Sequence, residues 1–90
     1  MEEIYVANPE IVFRKEDDEG ILFNPQTGEI KLLNETGAFI YGLLDGRHTV
    51  GEIIKVLMAD FEIETKEEAE TDVRAFIEDM MNAELVGHAA

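Results

Sequence analysis

A chain of 90 residues supports one domain with a single modest core, since such cores are built from roughly 50 to 200 residues, so one domain over residues 1–90 is expected. Twenty-one acidic side chains against seven Lys and Arg leave a formal charge of −14. That balance excludes nucleic acid and anionic membrane surfaces as partners, because both require cationic side chains.

With 46% apolar and 31% charged residues the composition is that of a folded chain rather than a disordered one. Cysteine is absent, which removes disulfides, a thiolate nucleophile and Cys-ligated metal. The lack of any signal-like or spanning apolar stretch leads us to expect a soluble, cytoplasmic protein.

In chain order, Ile4-Tyr5-Val6 reads as an extended stretch lying along a sheet or over helices. Three short apolar runs follow, Ile11 to Phe13, Ile21 to Phe23 and Ile30 to Leu33, and these read as strands. Arg14 to Gly20 separates the first two; Asn24-Pro25-Gln26-Thr27-Gly28 separates the last two, with Pro presetting φ and Gly supplying a positive-φ position. Short connections of this kind give an antiparallel meander with the second strand central.

From Asn34 onward the period becomes helical. Asn34 or Thr36 caps a first helix striped by Phe39, Ile40, Leu43 and Leu44 and ended by Gly46. Thr49 with Glu52 is a capping box opening a second helix, whose stripe is Val50, Ile53, Ile54, Leu57, Met58 and Phe61. Thr65 with Glu68 opens a third, striped by Ala69, Val73, Phe76, Ile77, Met80 and Met81 and closing near Gly87. The expected architecture is α+β, a three-stranded antiparallel sheet followed by three helices.

Catalytic constellations are sparse. No Ser occurs, so a Ser-based triad or a carrier-domain attachment serine is excluded. His48 and His88 are expected in a loop and in the C-terminal tail, without metal-ligand spacing. Asp17-Asp18-Glu19-Gly20 only superficially resembles a calcium loop: with Gly20 in the sixth position, Lys15 stands at the first and Gln26 at the twelfth, where a carboxylate is needed. Glu78 and Asp79 read as a solvated face rather than an acid/base pair. Neither a catalytic role nor a cofactor or metal is expected.

Of the two sheet edges, the first strand runs into the charge cluster Arg14 to Glu19, which blunts pairing. The third, Glu29 to Leu33, has no Pro and only moderate charge, and is the better docking edge for another strand. The residues from Ile21 through Ala38, with the Leu-Asn step at Leu33-Asn34, then Leu43 to Ile53 with its Asp45-Gly46 turn and Thr49, then Asp72-Val73 and Phe76, resemble the PqqD family across about residues 9 to 86.

That resemblance implies a winged-helix-like recognition domain. It would bind the leader of a ribosomally made precursor peptide and present it to a modifying enzyme, often a radical-SAM protein; pyrroloquinoline-quinone biosynthesis is the type case. The leader would add antiparallel to Glu29, Ile30, Lys31, Leu32 and Leu33 and rest against the third helix around Asp72, Ala75, Phe76 and Asp79. A DNA-binding winged helix is disfavoured, since residues 60 to 84 carry ten acids against Lys66 and Arg74. The alternative is a self-associating, homodimeric or enzyme-docking module using the same edge or an exposed Met80/Met81 surface.

Overall fold

The computed structural model describes residues 2–89. In chain order the elements are β1 (Ile4–Ala7), β2 (Val12–Glu16), β3 (Glu19–Phe23), β4 (Ile30–Leu33), α1 (Glu35–Gly42), β5 (Asp45–Thr49), α2 (Val50–Asp60), α3 (Lys66–Asn82) and β6 (Val86–His88). The expected meander is present as β2-β3-β4, antiparallel, with β3 central. Its first hairpin is tighter than the sequence suggests. Lys15 and Glu16 belong to β2, Glu19 and Gly20 to β3, and only Asp17-Asp18 turn, with Asp17 at φ 56°. Gly28 takes the expected positive φ, 79°, in the second connection.

A second antiparallel sheet, β5-β1-β6, was not anticipated. The extended N-terminal stretch is its central strand, pairing Tyr5 with His88 on one side and Ile4 with Thr49 on the other. His48 and His88 therefore lie in strands rather than in a loop and a tail. Gly46 does not end the first helix either. That helix stops at Gly42, where the Leu43 amide donates back to the Ile40 and Tyr41 carbonyls. Gly46, at φ 79°, sits in β5 where the β1 register is irregular, and a Cβ there would stand 3.5 Å from Val6. Glycine fits a bulge of this kind because it alone adopts that φ without strain.

The helix caps follow the sequence closely. Asn34 caps α1, its side chain accepting from the Gly37 amide at 2.8 Å. Thr49 and Glu52 form the reciprocal box that opens α2, at 3.1 and 2.8 Å. Thr65 accepts from the Glu68 amide at 3.1 Å to open α3. This last helix ends at Asn82, five residues before Gly87, because Glu84 at φ 60° turns the chain into β6.

The stripes of α2 and α3 are buried as expected through Val50, Ile53, Ile54 and Leu57, and through Ala69, Val73, Ile77 and Met80. In α1 the buried set shifts to Gly37, Ala38, Ile40 and Tyr41, and Phe39 is only half-buried, its ring edge-on to Phe61 at 5.1 Å. The helices and both sheets share one core with Leu22, Leu33 and Leu44. Within it the Tyr41 hydroxyl donates to the Leu85 carbonyl at 3.0 Å, tying α1 to the segment between α3 and β6. Burial pushes the Tyr41 phenol above its ordinary pKa.

Candidate peptide-binding groove

β4 pairs with β3 through Leu33, Leu32, Lys31 and Ile30, opposite Gly20, Ile21, Leu22 and Phe23, and among the described residues no strand occupies its other edge. Antiparallel pairing decides which backbone groups are free. The Asn24 amide donates to the Glu29 carbonyl at 2.9 Å, which makes that pair a hydrogen-bonded one in the same register. Alternation then turns the amides and carbonyls of Lys31 and Leu33 toward β3, and those of Ile30 and Leu32 outward. The exposed edge therefore offers two donors and two acceptors in ladder geometry, from Ile30 and Leu32.

The side chains alternate the other way. Leu33 is buried in the core, and Lys31, opposite buried Leu22, lies on the helix side of the sheet. Ile30 and Leu32, 64% and 74% exposed, lie on the opposite face. A cleft of about 280 Å³ brings Glu29, Ile30 and Lys31 together with Ala83 and Leu85. A second, of about 320 Å³, brings Asn34, Thr36 and Gly37 together with Asp72, Ala75 and Phe76.

Asp72, Ala75, Phe76 and Asp79 recur at helical spacing along one side of α3, and Ala83, its C-cap, continues that spacing; with one cleft at each end of this side, the two read as the ends of a groove between β4 and α3. Phe76 is half-buried and forms its floor at the α1 end, packed against the core and against Gly37. Asp72, Ala75 and Asp79 are exposed along its wall. The ends differ in charge: Glu29 and Lys31 offset one another at one, and at the other Asp72 stands without a cation among the described lining residues. Glu29, Ile30 and Lys31 thus meet the C-terminal end of α3, while Asn34, Thr36 and Gly37 beyond Leu33 meet its middle, with Asp72, Ala75 and Phe76.

Asn34, Thr36, Gly37, Ala83 and Leu85 line the groove although the sequence did not single them out. A signal existed for two of them: Asn34 caps the helix directly after the edge strand, and Ala83 stands four residues beyond Asp79. The proposed Met80/Met81 surface does not exist as such, because Met80 is 1% exposed and Met81 is packed against the core. Glu78 and Asp79 are both exposed, as a solvated face requires.

Away from the groove, the Asp45 carboxylate and His48 Nδ1 are 2.9 Å apart. Partial burial acts to raise the Asp45 pKa, but hydrogen bonds from the His48 side chain and from the Arg47 and His48 amides outweigh it and hold the carboxyl below its ordinary range. Among the described residues no group of three or more His, Cys, Asp or Glu is gathered to hold a metal, and no helix is long and apolar enough to cross a membrane.

Two solved structures share this fold. A structure of TbiB1 in complex with the TbiA(beta) leader peptide superposes with a TM-score of 0.80 at 28% identity, covering 90% of this chain and 93% of that one. A structure of lasso peptide synthetase B1 complexed with the leader peptide gives a TM-score of 0.79 at 28% identity, covering 92% and 96%. No curated protein sequence matches the chain. Residues 19–86 match the family model described as coenzyme PQQ synthesis protein D, a span that includes β4, the groove and α3 entire, and the chain belongs to the PqqD family.

Proposed function

We propose that residues 1–90 form a single recognition domain that binds the leader segment of a ribosomally synthesised precursor peptide and presents it to a modifying enzyme, with no catalysis of its own. The enzyme class we favour is radical-SAM. The observation that carries this reading is the open edge of β4 beside a groove floored by Phe76, in a family member whose structural neighbours are leader-peptide complexes.

A leader adding antiparallel to β4 takes main-chain bonds from Ile30 and Leu32. Its inward side chains enter the two ends of the groove, meeting Lys31 with Ala83 and Leu85 at one, and Asp72, Ala75 and Phe76 at the other. Glu29 and Leu33 bound the pairing segment, and Asp79 continues the acidic wall. Four such bonds at roughly 0.5 to 1.5 kcal/mol net each give about 2 to 6 kcal/mol. Burial of one or two apolar side chains brings binding toward the micromolar range, about −8 kcal/mol.

Backbone amide shifts during titration with the cognate leader test the site. The largest are expected at residues 29 to 33 and 72 to 79. Shifts confined to β2 or α2, with those segments unmoved, would remove the groove from consideration.

A further inference from the structure

The side of the β2-β3-β4 sheet turned away from the helices carries an unusual distribution of apolar surface. The registers place Val12, Phe23 and Ile30 in one cross-strand row and Arg14, Ile21 and Leu32 in the next. Val12, Phe23, Ile30 and Leu32 are the large apolar side chains left exposed among the described residues, and all four lie on this one face. The core uses none of them. Clustering of this kind, with the remaining surface charged, marks a contact surface rather than scattered exposure.

Size and charge narrow the occupant. Three strands about 4.8 Å apart, over five residues of about 3.4 Å, present roughly 250 Å². A stable dimer needs about 800 Å² from each partner. A second copy would also set the Glu16-Asp17-Asp18-Glu19 hairpin tip of one −14 chain against the acidic surface of another. The surface fits a transient protein partner with an apolar strip bordered by Lys and Arg.

Its position beside β4 identifies which partner. A strand added to β4 continues both rows, so the outward side chains of a bound leader would stand next to Ile30 and Leu32 and widen the face from three strands to four. We infer that the outer face of the β2-β3-β4 sheet docks the peptide-modifying enzyme, through an apolar strip edged by basic residues on that enzyme, and that the bound leader forms the fourth strand of the contact. The choice of that enzyme and the fourth strand rest on the leader-binding reading above; the exposed apolar face does not.

The test uses the full chain, the leader peptide and the purified modifying enzyme encoded with the precursor. Thr at Val12 and Phe23 keeps strand propensity while removing the exposed large apolar side chains of β2 and β3, away from the β4 edge. V12T/F23T should weaken enzyme binding about tenfold and leave leader affinity within about twofold, which also reports that the variant is folded. Saturating leader should strengthen enzyme binding by the wild type.

A charge pair guards against a purely structural effect: Val12→Lys should weaken enzyme binding more than Val12→Glu, since both remove the same apolar group. Unchanged enzyme affinity in V12T/F23T overturns the inference, as does a concentration-dependent wild-type dimer that this variant abolishes. If the leader fails to bind the wild type, the groove reading falls, and the leader-free enzyme affinities of these variants still decide the face.

Discussion

A Cβ on Gly37 would stand 3.0 Å from Cε1 of Phe76 and 3.2 Å from Oδ1 of the Asn34 cap. The first turn of α1 and the middle of α3 thus meet at a point with no room for a methyl group, and that point is the floor of the groove. An alanine at 37 would normally gain about 1 kcal/mol of helix propensity over glycine. Here the methyl must displace the half-buried Phe76 ring, whose free side is the groove. Gly37→Ala is therefore expected to change stability by less than about 1 kcal/mol, the propensity gain offsetting the overpacking, and to weaken leader binding several-fold. Denaturant unfolding alongside leader titration checks both halves; unchanged leader affinity would show that Phe76 is not part of the site.

Proline substitution separates the two edges of β4. The Lys31 amide points to β3, so Lys31→Pro removes a ladder bond opposite Leu22 and should cost about 1 to 3 kcal/mol of stability. The Leu32 amide points to solvent, so Leu32→Pro should leave the unfolding midpoint nearly unchanged while abolishing strand addition. The two variants are compared by urea unfolding and by calorimetric titration with the leader. Equal stability losses would refute the register of the free edge.

The groove is polar in a directional sense. An antiparallel leader would run its N-terminal part past Leu33 toward Asp72 and its C-terminal part past Glu29 and Lys31, whose charges offset, so a basic residue is favoured early in the paired segment. Asp72→Asn should weaken binding of a leader with an early Lys or Arg, by less than about tenfold because the site is exposed, and flatten its dependence on ionic strength. Isotherms at low and high salt give the slope; an identical slope in the variant would place the basic residue elsewhere.

The cap of α2 sets an acid limit on stability. Hydrogen bonding from the Thr49 amide, then from the Thr49 side chain, holds the Glu52 carboxyl below its ordinary range. A depressed folded pKa contributes stability that is complete above the unfolded glutamate value, about 4.3, and is lost as pH falls through the lower folded value. Glu52→Gln should therefore melt below wild type at about pH 7, and the gap should close toward about pH 3. Melting temperatures across that range provide the check; a constant gap would mean that the carboxylate charge plays no part in the cap.

Tyr41→Phe removes one of two donors to the Leu85 carbonyl, which keeps the Asn8 amide at 2.9 Å. The expected cost is that of one hydrogen bond, about 0.5 to 1.5 kcal/mol. Because Leu85 also lines one end of the groove, slower leader association should accompany it. Stopped-flow binding would register the change, and an unaltered rate would mean that Leu85 holds its place without the bond.

The parts of this fold that could be read from sequence are those whose information is local. β2, β3 and β4 are short apolar runs between turn residues, and α2 and α3 carry a stripe and a threonine cap each. β5 and β6 carry no such pattern: Asp-Gly-Arg-His-Thr and Val-Gly-His become strands because β1 lies between them, a pairing that spans almost the whole chain. Gly46 looked like a helix stop because the positive φ it supplies serves a helix terminus and a strand bulge equally well.

For the groove, the bareness of the β4 edge was legible from the lack of Pro and of dense charge. The α3 wall rested on the family resemblance. The contact between Gly37 and Phe76 depends on the crossing of two helices, which no local pattern encodes.

Closing the β1 sheet has a consequence for how the molecule matures. β1 gains its β6 neighbour only when residues 86 to 88 have been made, and the same segment brings Leu85 under Tyr41 and into the groove. The β2-β3-β4 meander and α1 are short-range and can form while the chain is still emerging; the first-to-last pairing carries a large loop-closure cost and comes late. Competence for a leader is thus tied to completion of α3 and β6: a product truncated before Leu85 would display the edge strand and the Phe76 floor without the Leu85 end of the groove.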